Sequence, residues 1–134
     1  MDAAPRRTAD YLAGREVFGG PLLGKQYVQF RLAELAAEVD MLRHYNYACA
    51  EAYLRGEDTT RFATIAKLKA GRLQRQIADT CLQFHGGMGY MEETWVSRYF
   101  RDSRLVSIGA GADEVMLQVL AQLDGFTGQR AGRR

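Results

Sequence analysis

QYVQFRLAELAAEVDMLRHYNYACAEAYLR, residues 26–55, is the stretch that decides the fold. Apolar side chains recur in it at alternating steps of four and three residues, with one polar residue in the series: Val28, Leu32, Leu35, Val39, Leu42, Asn46, Cys49 and Tyr53. This spacing puts them on one stripe of an α-helix and is typical of a helix packed in a bundle. At about 1.5 Å per residue, the helix would be roughly 45 Å long.

A second long helix is predicted to run back along the first, from Thr60 to Phe84. Gly56 ends the first helix, and residues 57–60 form only a short turn with capping side chains. The apolar face of the second helix consists of Phe62, Ala66, Ala70, Leu73, Ile77 and Phe84. Shorter helical segments follow over residues 93–106 and 113–125. The sequence therefore predicts an all-α, up-down four-helix bundle whose two longest helices are antiparallel.

Both ends of the chain are predicted to be less ordered than the bundle. Residues 1–10 are interpreted as a loose start, in which Thr8 caps a short helix that runs through Tyr11 and Leu12 to Arg15. Residues 126–134 are interpreted as a disordered basic tail. Residues 11–125 are therefore expected to form the folded domain.

Composition limits the classes of function. The 134 residues are 47% hydrophobic and 25% charged, as in an ordinary globular domain, and a net charge of +2 gives no case for binding nucleic acid or a membrane. No apolar run approaches the roughly 18 residues of a spanning helix, and the first ten residues hold no secretory signal. Two cysteines are too few for a disulfide framework. A reduced, cytoplasmic protein is expected.

Two glycine-containing loops are the candidate functional features. The first is QFHGGMGY at residues 83–90, whose glycines could let a ligand come close to the backbone. The same glycines also suit a helix end followed by a tight turn, and spacing alone favours this second interpretation. The second, SIGAGADE at residues 107–114, opens a helix whose amides could hold an anion. Its simpler interpretation is an acidic N-cap at Asp113.

Other polar features suggest less. His85 has no second ligand at metal-binding spacing, so no metal site is predicted. The charged stretch RYFRDSR, residues 98–104, is predicted to form surface ion pairs, such as Arg98 with Asp102, rather than a nucleic-acid patch.

Taken in order, the motifs resemble one family. Residues 83–116, QFHGGMGYMEETWVSRYFRDSRLVSIGAGADEVM, are similar to the C-terminal signature of the acyl-CoA dehydrogenases, which reads Q-x-x-G-G-x-G-[YF], then E-x-x-x-x-[RK]-x-x-R-D-[AS]-[RK], then [EGA]-G-[TA]-x-[EQ]. Upstream, REVFG at 15–19 and QYVQF at 26–30 resemble the family's R-x-x-F-G and Q-x-x-[QR]-[FH] segments. The resemblance extends over about residues 11–125.

The resemblance implies a fold and a reaction. The family has an N-terminal helical domain, a middle β-barrel domain and a C-terminal helical domain, and this chain looks like the third alone. Members oxidise acyl-CoA thioesters to 2-enoyl-CoA with FAD and pass the electrons to an electron-transfer flavoprotein. The positions that the resemblance marks as cofactor-binding are Arg15, Phe18, Gln26, Gln83, Gly86, Gly87, Gly111, Ala112, Asp113 and Glu114.

The resemblance divides these positions between two parts of the cofactor. Arg15 and Phe18 would meet the diphosphate and adenosine part of the FAD of a neighbouring subunit, with Gln26 beside them. The loop from Gln83 to Gly87 would lie on the adenine side. Residues 111–114 would contact the flavin of their own subunit.

Two departures from the family pattern concern the reaction. Ala110 occupies the position where many members carry the catalytic glutamate, so no catalytic residue is assigned in this chain. Members similar to isovaleryl-CoA and long-chain acyl-CoA dehydrogenases carry the base on the opening helix of the domain, at a point expected to lie before Met1. Ala112 replaces the usual threonine, which removes one hydroxyl contact to the flavin.

These features lead to two hypotheses. The first is the C-terminal domain or a split piece of an FAD-dependent acyl-CoA dehydrogenase, inactive alone. It would act as a homo-oligomer with a tetramer-like core or with a partner chain that carries the other domains. The second is a non-catalytic helical oligomerisation module left by a truncated gene.

Overall fold

The computed structural model describes residues 1–128, which form six α-helices, five of them packed around the third. The helices are α1 (Ala3–Gly14), α2 (Gln26–Leu54), α3 (Thr60–His85), α4 (Gly87–Tyr90), α5 (Trp95–Ser103) and α6 (Asp113–Leu123). A hairpin of β1 (Glu16–Val17) and β2 (Gly20–Pro21) and the 3-10 turn Leu22–Gly24 connect α1 to α2, and a second 3-10 turn, Arg104–Ser107, follows α5. The predicted all-α fold is confirmed, with α1 as a full additional helix.

The two longest helices are antiparallel, as predicted. The rings of Tyr45 and Phe62 lie 5.2 Å apart near the short connection between the helices. At the opposite end, the rings of Tyr27 and Phe84 lie 6.1 Å apart. The start of α2 therefore lies beside the end of α3.

The core lies around α3, which packs against α1, α2, α5 and α6. One buried cluster consists of Ala4, Leu35, Val39, Leu73, Ile77, Cys81 and Val96. A smaller cluster joins Leu12, Val28 and Phe84 at the end of α3. The second cluster holds α1 against the start of α2 and the end of α3.

The predicted loose start is wrong, because α1 begins at Ala3. Ala4, Pro5 and Thr8 are buried within this helix, so Thr8 packs in its interior instead of capping it. Pro5 is compatible with the helix because the first-turn N–H groups have no partner inside the helix. The predicted basic tail falls largely on residues 129–134, which lie outside the described residues.

The apolar stripe of α2 is buried only in its first half. Val28, Leu35 and Val39 are buried, but Tyr53 is 71% exposed and Ala52 is buried in its place. A stripe with a repeat of 3.5 residues drifts by about 20° per heptad around a straight helix, which has 3.6 residues per turn. The sequence repeat therefore turns away from the core towards the end of α2.

The predicted ion pair between Arg98 and Asp102 does not form among the described residues. The guanidinium of Arg98 instead donates hydrogen bonds to the carbonyl oxygens of Glu92 and Glu93, at 3.3 and 2.9 Å. These carbonyls precede α5, where Thr94 is the N-cap residue and its hydroxyl accepts a bond from the Ser97 amide. Arg98 thus fixes the entry to α5.

No helix within residues 1–128 is both long and apolar enough to cross a membrane.

Candidate cofactor site

Arg15 lies on the glycine loop at the end of α3. Its Nη1 donates a hydrogen bond to the carbonyl oxygen of His85 at 2.8 Å. A Cβ added to Gly86 would lie 3.0 Å from both terminal guanidinium nitrogens, so any side chain here would crowd this contact. Gly86 also has φ of +59° and ψ of −140°, a conformation that residues with a side chain rarely adopt. The structure thus brings together two predicted site residues that are far apart in sequence.

The neighbouring glycines have different structural roles. A Cβ on Gly89 would lie 2.4 Å from the carbonyl oxygen of Leu82, so this position is sterically closed to any other residue. Gly87 is exposed and its added Cβ would meet no atom within 4 Å. Folding therefore explains Gly86 and Gly89 but gives no reason for a glycine at 87.

Three further predicted residues surround this end of α3. Phe18 is 94% exposed at the tip of the β1–β2 hairpin, where it has φ of +50° and its carbonyl oxygen accepts a bond from Lys25 Nζ at 3.1 Å. With Gly19 also at positive φ, the turn has the left-handed backbone of a tight hairpin. Gln26 is exposed at the start of α2, and Gln83 is exposed in the last turn of α3.

His85 is a structural part of this site that sequence reasoning missed. It is 3% exposed, stacks on Tyr11 with ring centroids 4.3 Å apart, and contacts the ring of Trp95 edge-on at 5.4 Å. Its Nδ1 donates to the carbonyl oxygen of Cys81 at 2.7 Å, which is the only role Nδ1 can take opposite a carbonyl. Burial, and then the positive charges of Arg15 and Arg7, lower the pKa of His85 below its ordinary value.

The lowered pKa of His85 predicts a loss of stability in acid. Titration of His85 leaves the free energy of unfolding unchanged above the unfolded pKa of about 6.5. Below that pH the free energy of unfolding falls, because His85 binds a proton more readily in the unfolded chain than in the folded one. Equilibrium unfolding from pH 7.5 to 5 measures the slope. We expect His85→Phe to reduce this slope, while His44→Gln, which changes the exposed second histidine, leaves it intact. Equal slopes in the three proteins would contradict the assignment.

The second predicted loop rests on the middle of α3. Lys67 Nζ donates hydrogen bonds to the carbonyl oxygens of Val106 and Gly111, at 2.6 and 2.8 Å. Ala110 has φ of +52° and Gly111 has φ of +96°, and a Cβ on Gly111 would lie 2.6 Å from the terminal carbon of Met116. The residue at the position of the family's usual base thus has a left-handed backbone.

Asp113 has a different role from the one that its position suggested. The N-cap of α6 is Ala112, which corrects the N-cap interpretation of Asp113. Asp113 lies in the first turn, 6% exposed, with a carboxylate oxygen 3.0 Å from Arg75 Nη2 and 3.9 Å from Arg72 Nε. It therefore anchors the start of α6 to α3. Glu114 is exposed beside it.

The two groups of predicted residues do not form one pocket within the chain. The first group surrounds His85 at the end of α3, whereas the second rests on Lys67 at Gly111 and on Arg75 at Asp113. At about 1.5 Å per residue, Lys67 and Arg75 lie roughly 27 and 15 Å from His85 along the helix axis. Among the described residues, no set of three His, Cys, Asp or Glu side chains could hold a metal ion.

The domain thus has six helices, with one glycine loop at the end of the central helix and another on its side. A known class of protein domain shares this arrangement. The family model "Acyl-CoA dehydrogenase, C-terminal domain" matches residues 1–123. The chain belongs to this family.

Two relatives illustrate the similarity in sequence. The chain is 36% identical over 112 residues to the probable acyl-CoA dehydrogenase YngJ of Bacillus subtilis, covering 84% of this chain and 30% of that protein. It is 39% identical over 114 residues to the mitochondrial isobutyryl-CoA dehydrogenase of Bos taurus, covering 84% and 27%. The chain thus spans about a third or less of the length of these relatives.

Solved structures agree with the sequence comparison. A crystal structure of an acyl-CoA dehydrogenase from Mycobacterium smegmatis superposes with a TM-score of 0.89 at 34% identity, over 92% of this chain and 33% of that one. Butyryl-CoA dehydrogenase from Megasphaera elsdenii gives a TM-score of 0.86 at 32% identity, over 91% and 32%. Both likenesses cover about a third of a longer chain.

Proposed function

We propose that this domain forms part of the FAD site of an acyl-CoA dehydrogenase, an oxidoreductase that converts an acyl-CoA thioester to 2-enoyl-CoA. The observation that carries the proposal is Arg15, fixed on His85 by a 2.8 Å hydrogen bond beside the open Gly87. A guanidinium has five N–H donors in a planar fork; Nη1 of Arg15 binds the His85 carbonyl oxygen and lies 3.5 Å from the Tyr11 hydroxyl. The remaining donors are suited to the oxygen atoms of a diphosphate.

The residues proposed to hold FAD fall into the two groups described above. Arg15, Phe18, Gln26, Gln83, Gly86 and Gly87 would bind its diphosphate and adenosine part. Gly111, Ala112, Asp113 and Glu114 would contact its flavin part, where first-turn N–H groups of α6 have no partner inside the helix. Following the family resemblance, one FAD would meet the first group on one subunit and the second group on a neighbouring subunit. Bound FAD supplies the acceptor for the hydride removed from the substrate.

The α-proton of the substrate would be removed by a group other than residue 110. The methyl side chain of Ala110 cannot accept a proton, and the nearby Asp113 is engaged by Arg75. A correctly placed general base contributes about two to four orders of magnitude to a rate. We therefore propose that the base and most of the acyl pocket belong to other parts of the enzyme, and that the 134-residue chain alone does not dehydrogenate acyl-CoA.

The partners of the domain are proposed from its exposed apolar surface. Large apolar side chains are exposed along α2, including Phe30, Met41, Tyr47, Tyr53 and Leu54. Exposed apolar surface of this kind favours self-association or the docking of further domains, either in the same polypeptide or in a partner chain. An electron-transfer flavoprotein would accept the electrons, and a cytoplasmic location is proposed. The same exposed side chains favour the second candidate, a non-catalytic oligomerisation module.

Weak binding of FAD decides between the two candidates. NMR titration of the isotope-labelled 134-residue chain with FAD up to millimolar concentration detects it, and light scattering on the same sample gives the oligomeric state. We expect FAD to shift amide signals at residues 15–19 and 83–90, and riboflavin, which lacks the diphosphate, to leave them unchanged. The Arg15→Met variant should bind FAD about tenfold more weakly, because it loses a charge-assisted hydrogen bond.

Arg6→Met is the matched control, because Arg6 is an exposed arginine on the same helix. It should bind FAD within a factor of about two of the unmodified chain, as expected for a surface change distant from the site. Absence of FAD-induced shifts, or equal weakening by both substitutions, would favour the oligomerisation module.

A further inference from the structure

One stripe of α3 holds the loop that is proposed to contact the flavin. Lys67, Gly71 and Arg75 follow one another at intervals of four residues and therefore share a face of the helix. We call these three residues the Lys67 stripe. All three contact residues between Val106 and Asp113, so the stripe is a continuous seat for this loop.

The closest approach is at Gly71. A Cβ on this residue would lie 2.7 Å from Ser107 Oγ and 3.1 Å from Asp113 Oδ1, so the loop lies directly on the helix backbone. Arg75 binds the other carboxylate oxygen of Asp113 at 3.0 Å. The start of α6 is therefore fixed at a second point along the stripe.

Lys67 fixes the two ends of the loop. Its ammonium group binds the carbonyl oxygens of Val106 and Gly111, which flank residues 107–110. These are the residues that lead to the left-handed backbone of Ala110. A single side chain thus bridges the loop at the place where its conformation is most restricted.

The hydrogen bond to the Gly111 carbonyl also determines the direction in which the next amide N–H, that of Ala112, points. In a trans peptide the C=O and the following N–H point to opposite sides, and the chain has no cis peptide bond among its described residues. Because the carbonyl of Gly111 points to Lys67 on α3, the amide N–H of Ala112 points away from α3. It is then presented to whatever binds on the outer side of the loop.

We propose that Lys67 is a positioning residue for the flavin: it holds the Gly111 carbonyl and thereby aims the Ala112 N–H at an acceptor atom of the bound flavin. The ligand in this inference rests on the proposed function. The loss of the usual threonine hydroxyl at position 112 increases the importance of the backbone donor, because the alanine side chain offers none.

Amide hydrogen exchange of the free chain tests the positioning role without any ligand. The amides of Ile108 and Gly109 bind the Leu105 carbonyl at 2.9 and 2.8 Å, so their exchange reports opening of the loop. Removing the two bonds of a charged donor in Lys67→Met should accelerate their exchange about tenfold or more. Lys69→Met, the same change at an exposed lysine two residues on, should alter it less than about twofold.

Three outcomes of the exchange experiment are informative. Acceleration confined to the loop, with unchanged exchange of the core amides of α3, supports the positioning role. Acceleration of all amides alike would show that Lys67 contributes only to global stability and would overturn the proposal. Unchanged exchange at Ile108 and Gly109 would overturn it as well. Lys67→Arg, which keeps a charged donor, should restore part of the protection.

Titration with FAD tests the ligand. We expect a shift of the Ala112 amide signal in the unmodified chain and in Lys69→Met, and its loss in Lys67→Met. An equal shift in Lys67→Met would overturn the aiming role even if the loop opens. If the unmodified chain shows no FAD-induced shift anywhere, the proposed function fails, while the exchange experiment still decides whether Lys67 positions the loop.

Discussion

Replacing Gly89 by alanine is expected to destabilise the domain by about 3 kcal/mol, because the substitution overpacks a site bounded by backbone. The added Cβ would lie 2.4 Å from the Leu82 carbonyl oxygen and 3.3 Å from the Cβ of His85. A flexible side chain could move aside, but the carbonyl is part of the last turns of α3. Relief therefore requires α4 to move away from α3, together with the packing around His85.

Gly87→Ala is the control for this prediction. Gly87 is two residues away, exposed, with no atom within 4 Å of an added Cβ. Its substitution should change the free energy of unfolding by less than about 1 kcal/mol, with a gain favoured because alanine has the higher helix propensity. Chemical denaturation followed by circular dichroism compares the two variants with the unmodified chain. Similar stabilities of both variants would show that the packing of α4 is not as described.

Ile77→Ala is expected to have a comparable effect through a different cause. Ile77 is 0% exposed and packs with Leu35, Val39, Cys81 and Val96, so it joins α3 to α2 and α5. Truncation removes the burial of three carbon atoms and leaves a cavity, and such changes cost about 2–5 kcal/mol. Since native domains are stable by only about 5–15 kcal/mol, this loss is large.

The measurement is again equilibrium denaturation, with two companion variants. Ile77→Val should cost about 0.5–1.5 kcal/mol and keeps the experiment informative if the alanine variant does not fold. Gln76→Ala, at the exposed neighbouring position, should lie within about 0.5 kcal/mol of the unmodified chain. A loss in Ile77→Ala no larger than that in Gln76→Ala would contradict the position of the core.

The helices were predictable because their signals are local. The apolar repeat of α2 and α3 and the short turn after Gly56 each act within a few residues. The errors arose where packing overrides local pattern. Thr8 is buried within a helix that begins at Ala3, and Tyr53 turns out of the stripe to which its spacing assigned it.

The candidate site was predictable in part. The motif order predicted the family of the chain, which is confirmed, and site roles for Arg15, Gly86 and Gly87, and the structure places Arg15 against Gly86. The role of each glycine was not accessible from the sequence, because it depends on the fold: Gly86 is favoured by its positive φ beside Arg15, and Gly89 is required by the Leu82 carbonyl. No local pattern distinguishes these two from Gly87, since all three stand in one short loop.

The sequence by itself determined the all-α class, the antiparallel pair of long helices and the family, since apolar period and motif order are properties of the linear chain. Only the tertiary structure decided which residues meet: Arg15 with His85, Lys67 with Gly111, and Arg75 with Asp113. These pairs are separated by 38 to 70 positions. Their contacts depend on the direction in which α3 crosses its neighbours, which the burial of whole helix faces determines and no short segment specifies.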